Sequence, residues 1–393
     1  MFQRDDPHSL HPSTQLAQPR LRFDYLDGIR GIAALYVVLC HVCFDMREQL
    51  QAPEINTVLR TVVTSTISHG QSAVAIFIVL SGYCLMLPIA RSTNGELKGG
   101  MRNYFKRRIL RILPPYYVAL LLSLFLHIVI PANAASSSGA HWLSGQPALT
   151  TDAILSHILL IHNFNHQWEF SINPPMWSVA MEWQIYFLFP LILLPVWQRF
   201  GLPIVLVISC SIALVLYKLE IHSWFIILFT LGMTGAVVGF SQKALSKFCR
   251  EKISWRRLAL FFGTIWATTW WHPVGHLVND LMVGLATICL IVSCSQLLVE
   301  NRIDIASRFL GSQWVKTLGT FSYSLYLTHA LVLAVTELCL SPWYIQPTTK
   351  LLILISTVLP LSVLFAYIFY LTFEKPFISM RSKHTQEQSS SKI

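Results

Sequence analysis

From Ile29 to Phe373 the chain repeats one pattern, an apolar run followed by a short polar loop. The runs lie near 29–46, 64–89, 112–131, 152–163, 175–197, 202–219, 222–240, 257–273, 277–299, 317–340 and 351–373. Most approach the roughly 20 residues that carry a helix across a bilayer. Only 12% of the 393 residues are charged, about half the share in an average soluble domain. Lipid is the solvent this pattern fits. Hydrocarbon offers backbone groups no water to bond, so each spanning run must satisfy them internally as a helix. The expected fold class is all-α, a polytopic bundle of membrane helices. Residues 26–377 form its single domain, between a disordered cytoplasmic lead-in over 1–25 and a polar cytoplasmic tail over 378–393.

Charge sets the expected topology. The net charge of +10 is not a nucleic-acid footprint, because no basic stripe with interleaved aromatics carries it. The basic residues gather instead in 1–30, 90–111, 198–201, 241–257, 300–316 and 374–393; of the 29 Lys and Arg, only Arg47, Arg60, Lys218 and Lys350 fall elsewhere. If these stretches are cytoplasmic, the bundle has about ten spans with both termini inside. Segment 152–163, short and carrying His157 and His162, is then an interfacial or re-entrant piece on the outer side. The uncharged outer loop 132–150 is expected to be mobile and to overhang an acceptor site. The polar, Pro-rich N-terminus has no signal-peptide core. Cys40 and Cys43 have CxxC spacing but lie inside an apolar run without a second pair. They read as packing residues, and no metal site is expected.

Ionisable groups inside the membrane carry the functional argument, since each costs about 2.5–3.5 kcal/mol at mid-bilayer. Arg30 opens the first span, and His41, eleven residues on, stands about 16 Å higher along a helix. A guanidinium at the inner mouth and an imidazole near the midplane suit a tunnel with an anion at its entrance, the imidazole serving as general base. A structural histidine bonded to a neighbouring helix is the competing reading. Asp45, one turn beyond His41, is read as the solvated outer end of the span, with orientation of the His41 ring as the alternative. Glu182 lies about 10 Å inside the run 175–197, where a carboxylate must pair, protonate or line a cavity. One role for it is to hold His41 in one tautomer; an interhelix ion pair or hydrogen bond is the other. Arg108 and Arg111 share a helical face at the cytoplasmic mouth of the third span, and their planar forks suit phosphates. Headgroup contact explains the same pair. Ser81 and Gly82 put a hydroxyl and a close-approach point into the second span. Asp280 reads as polar glue between helices. Ser322, Tyr326 and His329 recur at helical spacing as a polar stripe that lipid would reject.

Taken together, LDGIRGIAALYVVLCH, AIFIVLSGY, RRILRILPPYY, PPMWSVAMEWQIYFLFP, LGTFSYSLYLTH and YLTFEKPF resemble, in order, the acyltransferase-3 family of membrane acyltransferases, over about residues 26–377. The resemblance implies a ten-helix domain taking an acyl group from cytoplasmic acyl-CoA, a co-substrate rather than a resident cofactor. It implies a glycan, lipid-linked sugar or other hydroxyl-bearing acceptor outside the cytoplasm. It marks His41 as the catalytic residue, Arg108 and Arg111 as donor-binding, and Trp177, Ser178 and Glu182 as a matching motif. Many relatives carry a second carboxylate where this chain has Trp183, leaving Glu182 alone there.

These readings combine into one expectation: a multi-pass protein of the plasma or inner membrane that moves an acyl group, acetyl before succinyl, to a sugar hydroxyl. His41 and Glu182 are catalytic. Arg30, Arg108, Arg111 and Ser81 hold the donor, while Tyr326, His329 and Trp177 line the acceptor side. The alternative is an exporter of glycan intermediates using the same cavity. No internal repeat supports that, and a carrier of neutral glycan has no use for the arginines.

Overall fold

A bilayer leaves a long apolar run little choice but a helix, and the computed structural model bears this out over the residues it describes, 22–52, 55–92, 94–130, 149–218, 223–272 and 274–379. Every regular element among them is helical. Most of the expected lead-in, most of the 132–150 loop and nearly all of the tail fall outside these residues.

The chain enters at α1 (Asp24–Asp45), turns, and returns as α2 (Thr57–Ser68) and α3 (Gly70–Ala90), interrupted at His69. α4 (Gly100–Val129) follows, then the short α5 (Thr151–Ile158). α6 (Met176–Leu188) and α7 (Leu194–Phe200) are joined through a π-helical turn at Phe189–Leu193. Next come α8 (Leu202–Tyr217), α9 (Phe225–Phe240), α10 (Ala244–Lys252), α11 (Trp255–Thr268) and α12 (His276–Val299). Two short helices, α13 (Ile305–Leu310) and α14 (Gln313–Thr320), precede α15 (Ser322–Leu340) and α16 (Pro347–Phe369), which continues into a π-helical turn at Tyr370–Glu374.

The chain is a multi-pass membrane protein. Among the described residues, seven helices are long and apolar enough to cross, and an eighth if the pair α9–α10, bent by 89°, is one span. The expected count of about ten is not reached on that criterion. The run 202–219 gives a helix of 16 residues and 257–273 one of 14, about 24 and 21 Å long against a hydrocarbon core of about 30 Å. The run 222–240 is cut short at its start, where a turn at 223–224 delays the helix to Phe225. The run 317–340 is likewise divided at Phe321. α5, about 12 Å long, does not span; it docks on α4 through Tyr116 and Tyr117, whose hydroxyls donate to the carbonyls of His157 (2.9 Å) and Ile158 (2.8 Å).

Small residues bring the helices close, as they must where lipid supplies no hydrophobic drive for association. A Cβ on Gly82 of α3 would collide with the carbonyl of Phe229 on α9, and one on Gly232 with the carbonyl of Val79. Gly31 and Gly319 set the same backbone contact between α1 and α14. α4 runs unbroken through Pro114–Pro115, so the sequence-based start of the third span at residue 112 lies well inside a 30-residue helix. Tyr323 of α15 donates to the carbonyl of Ile112 at 3.1 Å, tying α15 to α4 beside the proline pair. Cys40 and Cys43 are buried in the core. Asp280, also buried, accepts from Trp224 Nε1 at 2.9 Å across helices.

Candidate active site

Five helices meet around a cavity of about 320 Å³ in the bundle interior. α1 contributes Arg30, α3 contributes Ser81 and Cys84, and α4 contributes Arg108 and Arg111. α6 presents Ser178, Glu182 and Tyr186, and α15 presents Ser322, Tyr323 and Tyr326. The spacings account for this. Ser178, Glu182 and Tyr186 are four apart and so stack on one helical face, and Arg108 and Arg111 are three apart.

Three guanidinium groups face one carboxylate across the cavity. Arg30 is fixed from both sides, donating from Nη1 to Asp27 Oδ1 at 2.9 Å and from Nη2 to Cys84 Sγ at 2.9 Å. Arg108 lies with its Cζ 5.5 Å from the centroid of the Tyr186 ring, and among the described residues its buried Nε has no hydrogen-bond partner. A desolvated donor left open is costly unless a ligand satisfies it. Glu182 accepts from the hydroxyls of Ser81 and of Tyr186, the latter at 2.5 Å. Ser178 Oγ and Tyr326 OH, 2.6 Å apart, tie α6 to α15.

Past Tyr326 stands a pair of histidines. The Tyr326 and His329 rings are 6.1 Å apart, and those of His41 and His329 are 4.9 Å apart. His41 Nδ1 lies 2.9 Å from the carbonyl of Val37 and 3.3 Å from His329 Nε2. His329 Nδ1 lies 3.1 Å from the carbonyl of Leu325. A cationic cavity and an imidazole pair thus lie in succession along α15.

A family model described as an acyltransferase domain, that of acyltransferase-3, matches residues 23–371. The chain belongs to the acyltransferase-3 family. It is similar to the acyltransferase MdmB of Streptomyces mycarofaciens, with 26% identity over 176 residues, 44% of this chain and 40% of that protein. It is also similar to the peptidoglycan O-acetyltransferase OatA of Listeria monocytogenes, with 24% identity over 176 residues, 43% of this chain and 24% of that protein. These alignments span less than half the length of either relative. No solved structure matches the chain.

In this acyltransferase-3 chain the residues expected from sequence divide three ways. Arg30, Arg108, Arg111, Ser81, Glu182 and Tyr326 all reach the one cavity. His41 and His329 meet each other beside it rather than lining it. Trp177 is absent from the lining; it is buried and packs against Phe170 (6.3 Å) and Phe225 (5.8 Å), because the first turn of α6 points that face into the core. Two roles are corrected. Glu182 does not orient His41, since its hydrogen bonds go to Ser81 and Tyr186 and none joins it to the imidazole. Asp45 is not a solvated helix end, being only 3% exposed.

The acyltransferase-3 site also holds residues that sequence reasoning left without a role. Tyr186 and Ser178 were signalled by their four-residue spacing from Glu182. Outside the cavity lining, Glu374 in the π-helical turn is 2% exposed and accepts from Ser324 Oγ at 2.5 Å. Its signal was an acid at the end of an apolar run. Cys84 gave none, because only the fold brings it to Arg30.

Proposed function

We propose that this acyltransferase-3 protein transfers a short acyl group, acetyl in preference to succinyl, from acyl-CoA to a hydroxyl of a glycan or lipid-linked sugar outside the cytoplasm. The observation that carries this reading is the convergence of Arg30, Arg108 and Arg111 on one intramembrane cavity, the buried Arg108 Nε having no hydrogen-bond partner among the described residues. Planar guanidinium forks match phosphate oxygens, and coenzyme A brings a pyrophosphate and a 3′-phosphate. Export of a neutral glycan would give a cavity lined by three arginines no anion to bind. The name of the Listeria relative adds an O-acetyl group and a glycan acceptor to the reading. The distribution of Lys and Arg supports cytoplasmic termini in a plasma or inner membrane.

In the proposed step, His41 Nε2 takes the proton of the acceptor hydroxyl as its oxygen attacks the thioester carbonyl. The C–O bond forms, the C–S bond breaks, and the thiolate leaves with the proton as coenzyme A thiol, returning His41 to neutrality. Ser81, Ser178, Tyr186 and Tyr326 supply hydroxyls along the path, and the basic cluster keeps the phosphates at the cavity. The test is acyl transfer from labelled acetyl-CoA to cell-wall glycan by membranes carrying the wild type or His41→Ala. The variant is expected to insert normally and to transfer nothing. Wild-type transfer by His41→Ala would refute the base assignment, and failure of the purified protein to bind acyl-CoA would favour transport.

A further inference from the structure

We infer that His329 is a positioning residue for His41, holding the catalytic imidazole in the tautomer that leaves Nε2 free as the base; this rests on the acyl-transfer reading above. The argument is one of hydrogen-bond bookkeeping. A backbone carbonyl only accepts, so the nitrogen facing it must carry the proton. His41 Nδ1, 2.9 Å from the Val37 carbonyl, is therefore N–H, and so is His329 Nδ1, 3.1 Å from the Leu325 carbonyl. A neutral imidazole has one proton. His329 Nε2 is then a bare lone pair, and it stands 3.3 Å from the Nδ1–H of His41. That proton is shared between the Val37 carbonyl and His329, which leaves the lone pair of His41 on Nε2. Among the described residues His41 Nε2 makes no hydrogen bond of its own.

The role is one that a carboxylate plays in hydrolase triads. Glu182, the acid expected to fill it, is bonded to Ser81 and Tyr186 instead. A neutral acceptor is consistent with the surroundings: His329 is fully buried, and a second charge beside a histidine that must turn cationic would have to be desolvated. When His41 gains the hydroxyl proton, its Nδ1–H becomes a charged donor, and bonds of that kind are stronger than neutral ones. His329 thus stabilises the imidazolium more than the resting ring, the requirement for an effect on rate. Its own placement is secured one turn earlier, where Tyr326 is tied to Ser178.

Two amides separate this role from packing. The amide of glutamine ends where His329 Nε2 lies, so its oxygen reaches His41; that of asparagine ends near Nδ1 and stops short. In full-length protein His329→Asn is expected to lose roughly 10- to 100-fold in kcat, the range of one charged-donor bond, with KM for acyl-CoA within twofold of wild type. His329→Gln is expected to stay within about fivefold of wild type by retaining an acceptor. Thermal melts establish that both variants fold, and His41→Ala serves as the inactive reference. If His41→Ala is dead while His329→Asn keeps full kcat, the positioning role is overturned and the base assignment stands. If Gln is as impaired as Asn at equal melting temperature, the role is also overturned. Activity in His41→Ala overturns both.

Discussion

Arg108 combines two costs and one use, and a single substitution separates them. In Arg108→Met the volume and apolar stem are kept while the guanidinium is lost. The orphan Nε costs the empty protein about 1–3 kcal/mol. The contact with the face of Tyr186 returns about 0.5–1 kcal/mol. The variant is therefore expected to be more stable than wild type, by about 1 kcal/mol, when nothing is bound. Acyl-CoA should show the opposite sign. Loss of one charge-assisted phosphate bond, about 1.5–3 kcal/mol, weakens binding roughly 10- to 100-fold.

The assay is thermal unfolding in detergent, with and without acyl-CoA. At a concentration of about 100 times the wild-type Kd, ligand stabilises wild type by about 2.7 kcal/mol. With a Kd weakened roughly 30-fold, the same concentration stabilises Arg108→Met by only about 0.9 kcal/mol. A variant that is less stable empty, or that binds acyl-CoA within threefold of wild type, refutes the idea that this arginine is held open for a phosphate.

Further outcomes follow from the bundle itself. Gly82→Val is expected to cost about 2–3 kcal/mol, seen as a lowered melting temperature, because its side chain would push α3 off the Phe229 carbonyl; an unchanged melt would mean the contact is loose. Lys350 reaches the fully buried Glu337 at 2.6 Å, so Lys350→Met should cost about 3–5 kcal/mol by stranding a carboxylate. The double change with Glu337→Leu should recover most of that loss, and equal melts for the single and double variants would contradict the pairing. His157 and His162, stacked at 3.8 Å on the segment outside the spans, are held neutral by burial, down to about 4 and about 3. The unfolded chain, titrating near 6.5, binds more protons than the folded one below that pH. Stability should therefore fall as pH drops from about 6.5 toward 4, by roughly 1–2 kcal/mol per ring between pH 7 and 5. His157→Phe/His162→Phe should flatten this dependence of the melting temperature, and an unaltered slope would assign it elsewhere.

Much of the site was legible because membranes penalise polar residues that have no task. Arg30, Glu182 and Tyr326 stand out in apolar runs on cost alone, and each reaches the cavity. Helical spacing also placed Arg108 with Arg111 correctly. What periodicity cannot supply is the azimuth of one helix against another. It puts Tyr186 on the face of Glu182, yet says nothing of whether that face meets His41 or Ser81, and the orienting role went to the wrong partner for that reason. Trp177 shows a different limit: a large aromatic in a first turn serves core or cavity equally well, and the rotation of α6 packs it against Phe225. Span lengths were overcounted where turns at 223–224 and at Phe321 shorten helices inside continuous apolar runs. Hydropathy does not register such turns.

The way α15 addresses three neighbours explains how the cationic cavity and the histidine pair are kept in fixed relation. Tyr323 bonds to Ile112 on α4, Tyr326 to Ser178 on α6, and His329 to His41 on α1. These residues are three apart. At about 100° per residue, each step of three falls short of a full turn by roughly 60°. The stripe therefore winds backwards around the helix, and its three side chains fan across about 120° while rising roughly 9 Å. A spacing of four, which drifts the other way by only about 40° a step, would keep them nearer one face and one partner. Because all three contacts ride on one rigid helix, a slide of α15 along its axis would move the Tyr323 and Tyr326 lining and the His329 acceptor together. Donor placement and the tautomer of His41 are then not independent adjustments, and damage to the Tyr326–Ser178 bond should reach kcat through His329 even with the arginines intact.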